Sequence, residues 1–437
     1  MSSSEMRTMS SGEANVMSSG EASIMSSTAS PRARARSELR QFWPAVVACF
    51  ATAVFGWGFG FSGTSVYLAE LQRQHGWSSA LIASGITAYY LLGALCLARV
   101  HVALRRLGPA RMLAAGTVLL GLGATLFCRS QQPWEMFGAA AVMALGWAGC
   151  TSTAISTTLA RYFQRQRGLS ITLALNGASA AGFTVGPLLV ELSQRIGVGN
   201  AVPLAALGGL AIVLPLIGVG LAASDGAEPS AAGTSSRPGD ATIGVKDTLR
   251  AWRFWSVALP FALALAAQVG LIVHLVSFLM PHLGATGAAS ALALTSVAAV
   301  SGRLVLASVI DRLHQRRAAA VSFASQAAGL ALMIACPDRP EALYAGSIVF
   351  GLSVGNVITI PALIVQREFP DSAFGLVIGL STAVSQFTFA LSPALLGVVR
   401  DATGGYAAVL AVCMTLQLGA AVLVLAGGWG RSTLDRA

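Results

Sequence analysis

"AVPLAALGGLAIVLPLIGVGLA", residues 201–222, carries no charged side chain. As a helix rising 1.5 Å per residue it crosses a hydrocarbon core about 30 Å thick. Lipid offers no partner to backbone N–H and C=O groups, so only helices and closed barrels cross it. The run is continuously apolar, without the two-residue alternation of a barrel strand, and therefore reads as a transmembrane helix. Similar runs recur along nearly the whole chain. They predict twelve spans at about 42–69, 79–98, 110–128, 134–160, 168–190, 201–222, 254–280, 287–310, 318–336, 341–366, 374–399 and 406–427. Of the 437 residues 55% are hydrophobic and only 11% charged, with mean hydropathy +0.69. A soluble domain carries about a quarter charged residues. The expected class is an all-α polytopic membrane protein, with twelve helices in two six-helix bundles.

The stretches between spans set the organisation. Residues 1–41 are Ser-rich, repeat "MSSGEA" at 9 and 17, and are expected to form a disordered cytoplasmic tail without a cleavable signal peptide. Residues 42–222 would form the first bundle, 223–253 a polar Pro/Gly/Ser-rich cytoplasmic linker, 254–427 the second bundle, and 428–437 a cytoplasmic tail. Placing both termini in the cytoplasm assigns 22 of the 28 Lys and Arg residues to the inner side. The outer loops then keep only Arg73, Arg129, Arg195, Arg339 and Arg400. This asymmetry predicts a multi-pass protein of the cell's inner (plasma) membrane. It also accounts for the net charge of +10 without a nucleic-acid partner. The six cysteines lie in or beside apolar runs without paired or metal-ligand spacing, and read as small buried hydrophobes.

The two halves share punctuation at one offset of 206 residues. Arg106-Leu107 matches Arg312-Leu313, Arg161-x-Phe163 matches Arg367-x-Phe369, Pro187 matches Pro393, and Ser179 matches Ser385. One register common to separate loop and helix positions points to duplication. Parallel six-helix repeats mark a transporter architecture that binds substrate near the midplane between its halves.

Within span eight stands Arg303, about seven residues from the inner end. On insertion scales a central arginine costs roughly 2.5–3.5 kcal/mol, so it should meet a partner or water. No Asp or Glu lies well inside any span; Glu70, Glu135 and Glu191 sit near outer ends. A guanidinium without a built-in carboxylate is a ready fork for a substrate carboxylate. The competing reading has Arg303 snorkel to the membrane edge and join Asp311 in a gate.

Other polar groups accompany it. Tyr89 and Tyr90 fall mid-span in span two, one expected to face the cavity and the other to pack. Asn176, Gln268, Asn356 and Gln386 are amides near mid-depth, suited to orient substrate, although bonding between helices is their commoner use. His274 is a proton-coupling candidate or an uncharged hydrogen-bonding residue near the outer mouth. Trp57 and Trp147 would wall the cavity or simply pack. No P-loop, Ser-His-Asp set or HExxH motif occurs, and no sizeable soluble domain offers a place for ATP chemistry. The expectation is a secondary transporter with no enzymatic activity, no cofactor and no metal.

"DRLHQRR" (311–317) resembles the loop motif of the major facilitator superfamily, Gly-x-x-x-Asp-Arg-x-x-x-Arg-Arg, with Ala307 at the leading glycine. The resemblance implies a cytoplasmic gate at Asp311, Arg312, Arg316 and Arg317. The first-half copy, "HVALRRLGPAR" (101–111), is degenerate. It has His101 at the glycine and Arg105 at the acid, followed by Arg106, so any latch there must differ. "GWSSALIASGITAYYLLGAL" (76–95), "SFLMPHLGATGAASALALTSVAAVSGRL" (277–304) and "GASAAGFTVGPLL" (177–189) are similar to the monocarboxylate and oxalate–formate branch. That branch implies an anion-binding role for Arg303. Two departures bear on it: Ala299 stands where proton-coupled members often carry an acid, and span eleven has Gln386 and no lysine. One cation favours a mono-anion over a dicarboxylate.

The expected activity is alternating-access transport of a small organic anion, a monocarboxylate, by a monomer in the lipid bilayer. Coupling would be by protons or by anion exchange, as symport or antiport. One alternative is an efflux pump for amphipathic drugs or metabolites, since Gly186-Pro187 resembles an exporter motif. Another is a non-transporting membrane sensor, against which stands the lack of an attached signalling domain.

Overall fold

The computed structural model describes residues 40–97, 100–163, 166–225, 245–310 and 313–429. Most of both expected tails and of the linker lie outside these residues. Among the described residues every regular element is helical. Eleven helices among the described residues are long and apolar enough to cross a membrane, and one of them, Trp252–Val309, is two helices divided at Gly284, giving α1 Trp43–His75, α2 Ser79–Leu97, α3 Pro109–Arg129, α4 Pro133–Leu159, α5 Arg167–Ile196, α6 Val198–Asp225, α7 252–283, α8 285–309, α9 Gln315–Ala335, α10 Pro340–Glu368, α11 Asp371–Thr403 and α12 Ala407–Trp429. Helices α7 and α8 follow without a loop, and the reversal falls on Gly284, at φ 70°. Left-handed backbone is open to glycine and strained for other residues, so this glycine makes the turn.

With twelve passes both chain ends emerge on one face, here called the near face. Lipid supplies no hydrophobic drive between helices, so close approach of backbones has to hold them together. A Cβ on Gly116 of α3 would lie 2.7 Å from the Gly149 Cα of α4, and one on Gly177 of α5 would overlap the Phe50 carbonyl of α1. Two facing pairs join the halves. Gly182 of α5 backs onto Ser296 of α8, and Gly397 of α11 backs onto Ala80 of α2.

Three spans are interrupted. Helix α1 contains a π segment, Gly58–Ser62. A π turn leaves a carbonyl without its usual donor, and Tyr67 Oη donates to the Phe59 carbonyl at 3.0 Å. Helix α4 breaks at Thr151, whose ψ of 163° is extended, and α10 breaks at Gly355. Gly149, two residues before the first break, stands in the 206-residue register with Gly355. The breaks themselves, at Thr151 and Gly355, fall two residues short of that register.

Candidate functional site

Helices α8 and α10 cross on glycine. A Cβ on Gly351 would lie 2.5 Å from the Thr295 carbonyl, and one on Gly302 would overlap the Leu352 carbonyl. This seam lays the Arg303 side chain across Gly355, where a Cβ would stand 2.7 Å from Nε and 3.0 Å from Nη2. Arg303 is half-buried, and its Nε is enclosed without a hydrogen-bond partner. No acid of the described residues lies within ion-pair distance of it. Next to the break, Asn356 is buried. Its amide nitrogen reaches the Ser322 hydroxyl and the Leu352 carbonyl at 3.4 Å each, while its carbonyl oxygen accepts nothing. An unfilled donor and an unfilled acceptor thus flank one glycine.

Across the protein, Tyr89 and Tyr90 are both buried, with ring centroids 4.8 Å apart. Both belong to an aromatic cluster. Tyr89 stands over Gly60 of the π segment and edge-on to Trp147, which contacts Trp57 at 5.1 Å. Tyr90 meets Phe389 of α11 at 5.8 Å. The Tyr89 hydroxyl has no hydrogen-bond partner among the described residues.

The remaining amides divide. Gln268 is buried and accepts from Gln326 at 3.0 Å; Gln326 accepts from Gln417 at 2.6 Å, and Gln417 donates to the Ala264 carbonyl at 3.1 Å. This chain ties α7, α9 and α12 together. Asn176 is exposed and Gln386 half-buried, neither with a side-chain hydrogen bond among the described residues. His274 is fully buried, its Nε2 3.0 Å from the Pro393 carbonyl and its Nδ1 without a partner. It sits in the α7–α11 contact, and its ring is 5.9 Å from that of Tyr406.

At the near-face end Arg316 is buried and saturated. It donates to both Glu368 carboxylate oxygens at 2.9 and 2.8 Å, to the Ser256 carbonyl and hydroxyl at 3.1 and 3.0 Å, and to the Val424 carbonyl at 2.9 Å. Its described acid partner is Glu368 of α10, a residue the sequence reading passed over. Asp311, Arg312 and the Arg105 side chain lie outside the described residues, and Arg106 and Arg317 are exposed.

The opposite, far face is closed across the halves. The Asp401 carboxylate of α11 accepts from the Ser79 and Ala80 backbone N–H groups at the start of α2, at 3.2 and 2.7 Å. An anion at a helix N-terminus satisfies orphan donors and opposes the positive end of the dipole. Deeper in, the Ala394 N–H donates to Thr87 at 3.2 Å.

Twelve spans in two related halves, closed at one face and with the Arg303 guanidinium set between helices beside no described acid, have the build of a membrane transporter. The sequence pattern of the Major Facilitator Superfamily matches residues 48–393, and the chain belongs to that superfamily. It is 22% identical over 268 residues to the uncharacterized MFS-type transporter YhjX of Escherichia coli (strain K12). That match covers 60% of this chain and 65% of the relative, less than two thirds of its length. It is 27% identical over 389 residues to monocarboxylate transporter 11 of Homo sapiens, covering 84% of this chain and 79% of the relative. A mutant of the nucleoside transporter NupG superposes with TM-score 0.71 over 88% of this chain and 98% of that one, at 11% identity, a likeness of fold. The protein is a multi-pass membrane transporter of a small molecule and not an enzyme.

Proposed function

We propose that the protein moves a small organic anion, a monocarboxylate, by alternating access, and that Arg303 is the group that holds it. The carrying observation is the side chain itself: a guanidinium inside a span, resting on Gly355, with an enclosed Nε–H and no acid beside it. A carboxylate would supply the missing charge and accept two parallel hydrogen bonds. The Asn356 carbonyl oxygen, unfilled one residue from Gly355, suits a substrate hydroxyl. Tyr89, Tyr90, Asn176 and Gln386 remain candidates for contact in other states of the cycle, whereas Gln268 is committed to Gln326.

The distant relation to monocarboxylate transporter 11 supports the same substrate class. The excess of Lys and Arg on the near face supports an orientation with both termini cytoplasmic, in the inner membrane. The protein acts as a monomer. Its coupling is a proton carried on His274 or the exchange of one anion for another; uphill uptake driven by a pH gradient in vesicles distinguishes them.

The test is counterflow of a panel of radiolabelled carboxylates in vesicles. Wild type exchanges at least one mono-anion, and Arg303→Ala, folded and inserted, does not. Normal counterflow in that variant would overturn the assignment. Counterflow of nucleosides or cationic drugs, with none of carboxylates, would overturn the substrate class.

A further inference from the structure

The described residues line a half-open cavity of about 620 Å³ at the far face, and Arg303 is not among its lining residues. It lies within the range of sites for small organic ligands. One wall comes from the first half, through Ala69, Gln72 and Arg73 at the end of α1. The rest comes from the second half, from the far ends of α7 and α9 and the turn between α11 and α12. Phe278, Met280, Ile334 and Leu410 make it largely apolar, and Arg73 and Arg400 are among its lining residues.

The acids that pair with these arginines do not line it. Glu70 is buried behind Arg73 and fully used: one oxygen accepts from Arg73 at 2.8 and 3.0 Å, and the other from Gln194 at 2.7 Å. Asp401 points to the start of α2 and accepts from Arg400 at 3.0 Å. Arg400 keeps its Nε enclosed and without a hydrogen bond, and its guanidinium carbon stands 5.8 Å from the Tyr406 ring. The arginine of each pair therefore lines the cavity while its acid does not.

We propose that this cavity is a second ligand site, for an amphipathic organic monocarboxylate, and that its occupant holds the far face closed. The apolar walls take the body of the ligand, and Arg73 and Arg400 take its carboxylate. Opening the far face must part the end of α1 from the α11–α12 turn and so dismantle the site. A ligand that needs both walls favours the state that keeps them together, and transport slows as that state is populated. The proposal is independent of Arg303 and survives if the central substrate proves not to be a carboxylate.

The probe is 2-naphthoate, read by the unfolding temperature of the purified full-length protein. It raises the unfolding temperature of wild type and of Arg303→Ala alike, with half-saturation within about twofold. Ala407→Trp, which fills the lining of the cavity, weakens the effect on the order of tenfold or more. Should that variant fail to fold, Arg73→Gln serves. It weakens 2-naphthoate about fivefold to tenfold but leaves the uncharged analogue 2-naphthalenemethanol unchanged. Applied to the far face of vesicles, 2-naphthoate inhibits counterflow without competing with substrate. Loss of the thermal effect in Arg303→Ala, or its persistence in both Ala407→Trp and Arg73→Gln, overturns the proposal. Absence of carboxylate counterflow would instead count against the transport assignment alone.

Discussion

Two arginines of the second half, thirteen residues apart, meet opposite fates. Arg316 enters the bundle at the start of α9 and finds five acceptor contacts on α7, α10 and α12, including the whole Glu368 carboxylate. Arg303 lies within α8 against a bare glycine and finds none among the described residues. Both guanidinium groups carry the desolvation cost of leaving water. In the first the protein offsets it; in the second it leaves the charge for something else to match. Full satisfaction marks a strut between helices, and incompleteness in an otherwise well-paired membrane interior marks a place for a ligand.

Removing one member of each set separates these roles. Arg316→Ala breaks the buried ion pair with Glu368 and the hydrogen bonds that join four helices at the near-face end; it should cost about 3–5 kcal/mol, seen as a large fall in unfolding temperature and in yield. Arg316→Met with Glu368→Leu should recover most of that loss, because an apolar pair of similar volume is often neutral. If the double variant is as unstable as the single, Arg316 has a role beyond this ion pair.

Arg303→Met should do the reverse. Carboxylate counterflow falls on the order of 100-fold, equivalent to about 2.7 kcal/mol of lost anion binding. The unfolding temperature stays level or rises, since an unpaired charge has left the span. A fall in stability matching that of Arg316→Ala would erase the contrast between the two sites.

A gentler perturbation is Gly355→Ala. The added methyl needs the space of Nε and must push the guanidinium off α10. Half-saturation by the anion should rise about tenfold, with a far smaller change in the maximal rate, because a misplaced fork loses one of its two hydrogen bonds. Unchanged kinetics would mean that the resting position of Arg303 is not its working one.

The smallest effect is expected at the far face, where Arg400 is intermediate between the two arginines, with one nitrogen paired and one unfilled. Asp401→Asn weakens the bonds to Ser79 and Ala80 by about 1–2 kcal/mol. Reaction of a Ser277→Cys reporter with an impermeant thiol reagent from the far side should then quicken severalfold. No change in labelling would show that Asp401 does not hold the halves together.

Much of the architecture was legible before any coordinates. Apolar length and the absence of charge located twelve spans, whose ends the structure shifts by a few residues, with α1 and α5 the main extensions at their far ends. Loop punctuation revealed the duplication. Arg303 stood out because a charge in a span is costly. Its surroundings did not stand out: only the α8–α10 crossing makes Gly302, Gly351 and Gly355 the bed of the side chain. Gln268 and Asn356 were alike in sequence. One found Gln326 and became part of a strut, while the other kept an empty acceptor beside the arginine. Nothing in the sequence marks Glu368, which only the approach of α9 to α10 pairs with Arg316.

The amino-acid sequence by itself determined the solvent of this protein, the number of its passes, its internal repeat and the location of its costly charge. These follow from local energetics, from the price of burying each side chain and each peptide group in lipid, which needs no knowledge of neighbours. Which buried polar groups are matched and which stay open was decided by the tertiary structure alone. Pairing depends on distances between helices far apart in the chain, and a shift of one helical turn exchanges a saturated arginine for an empty one.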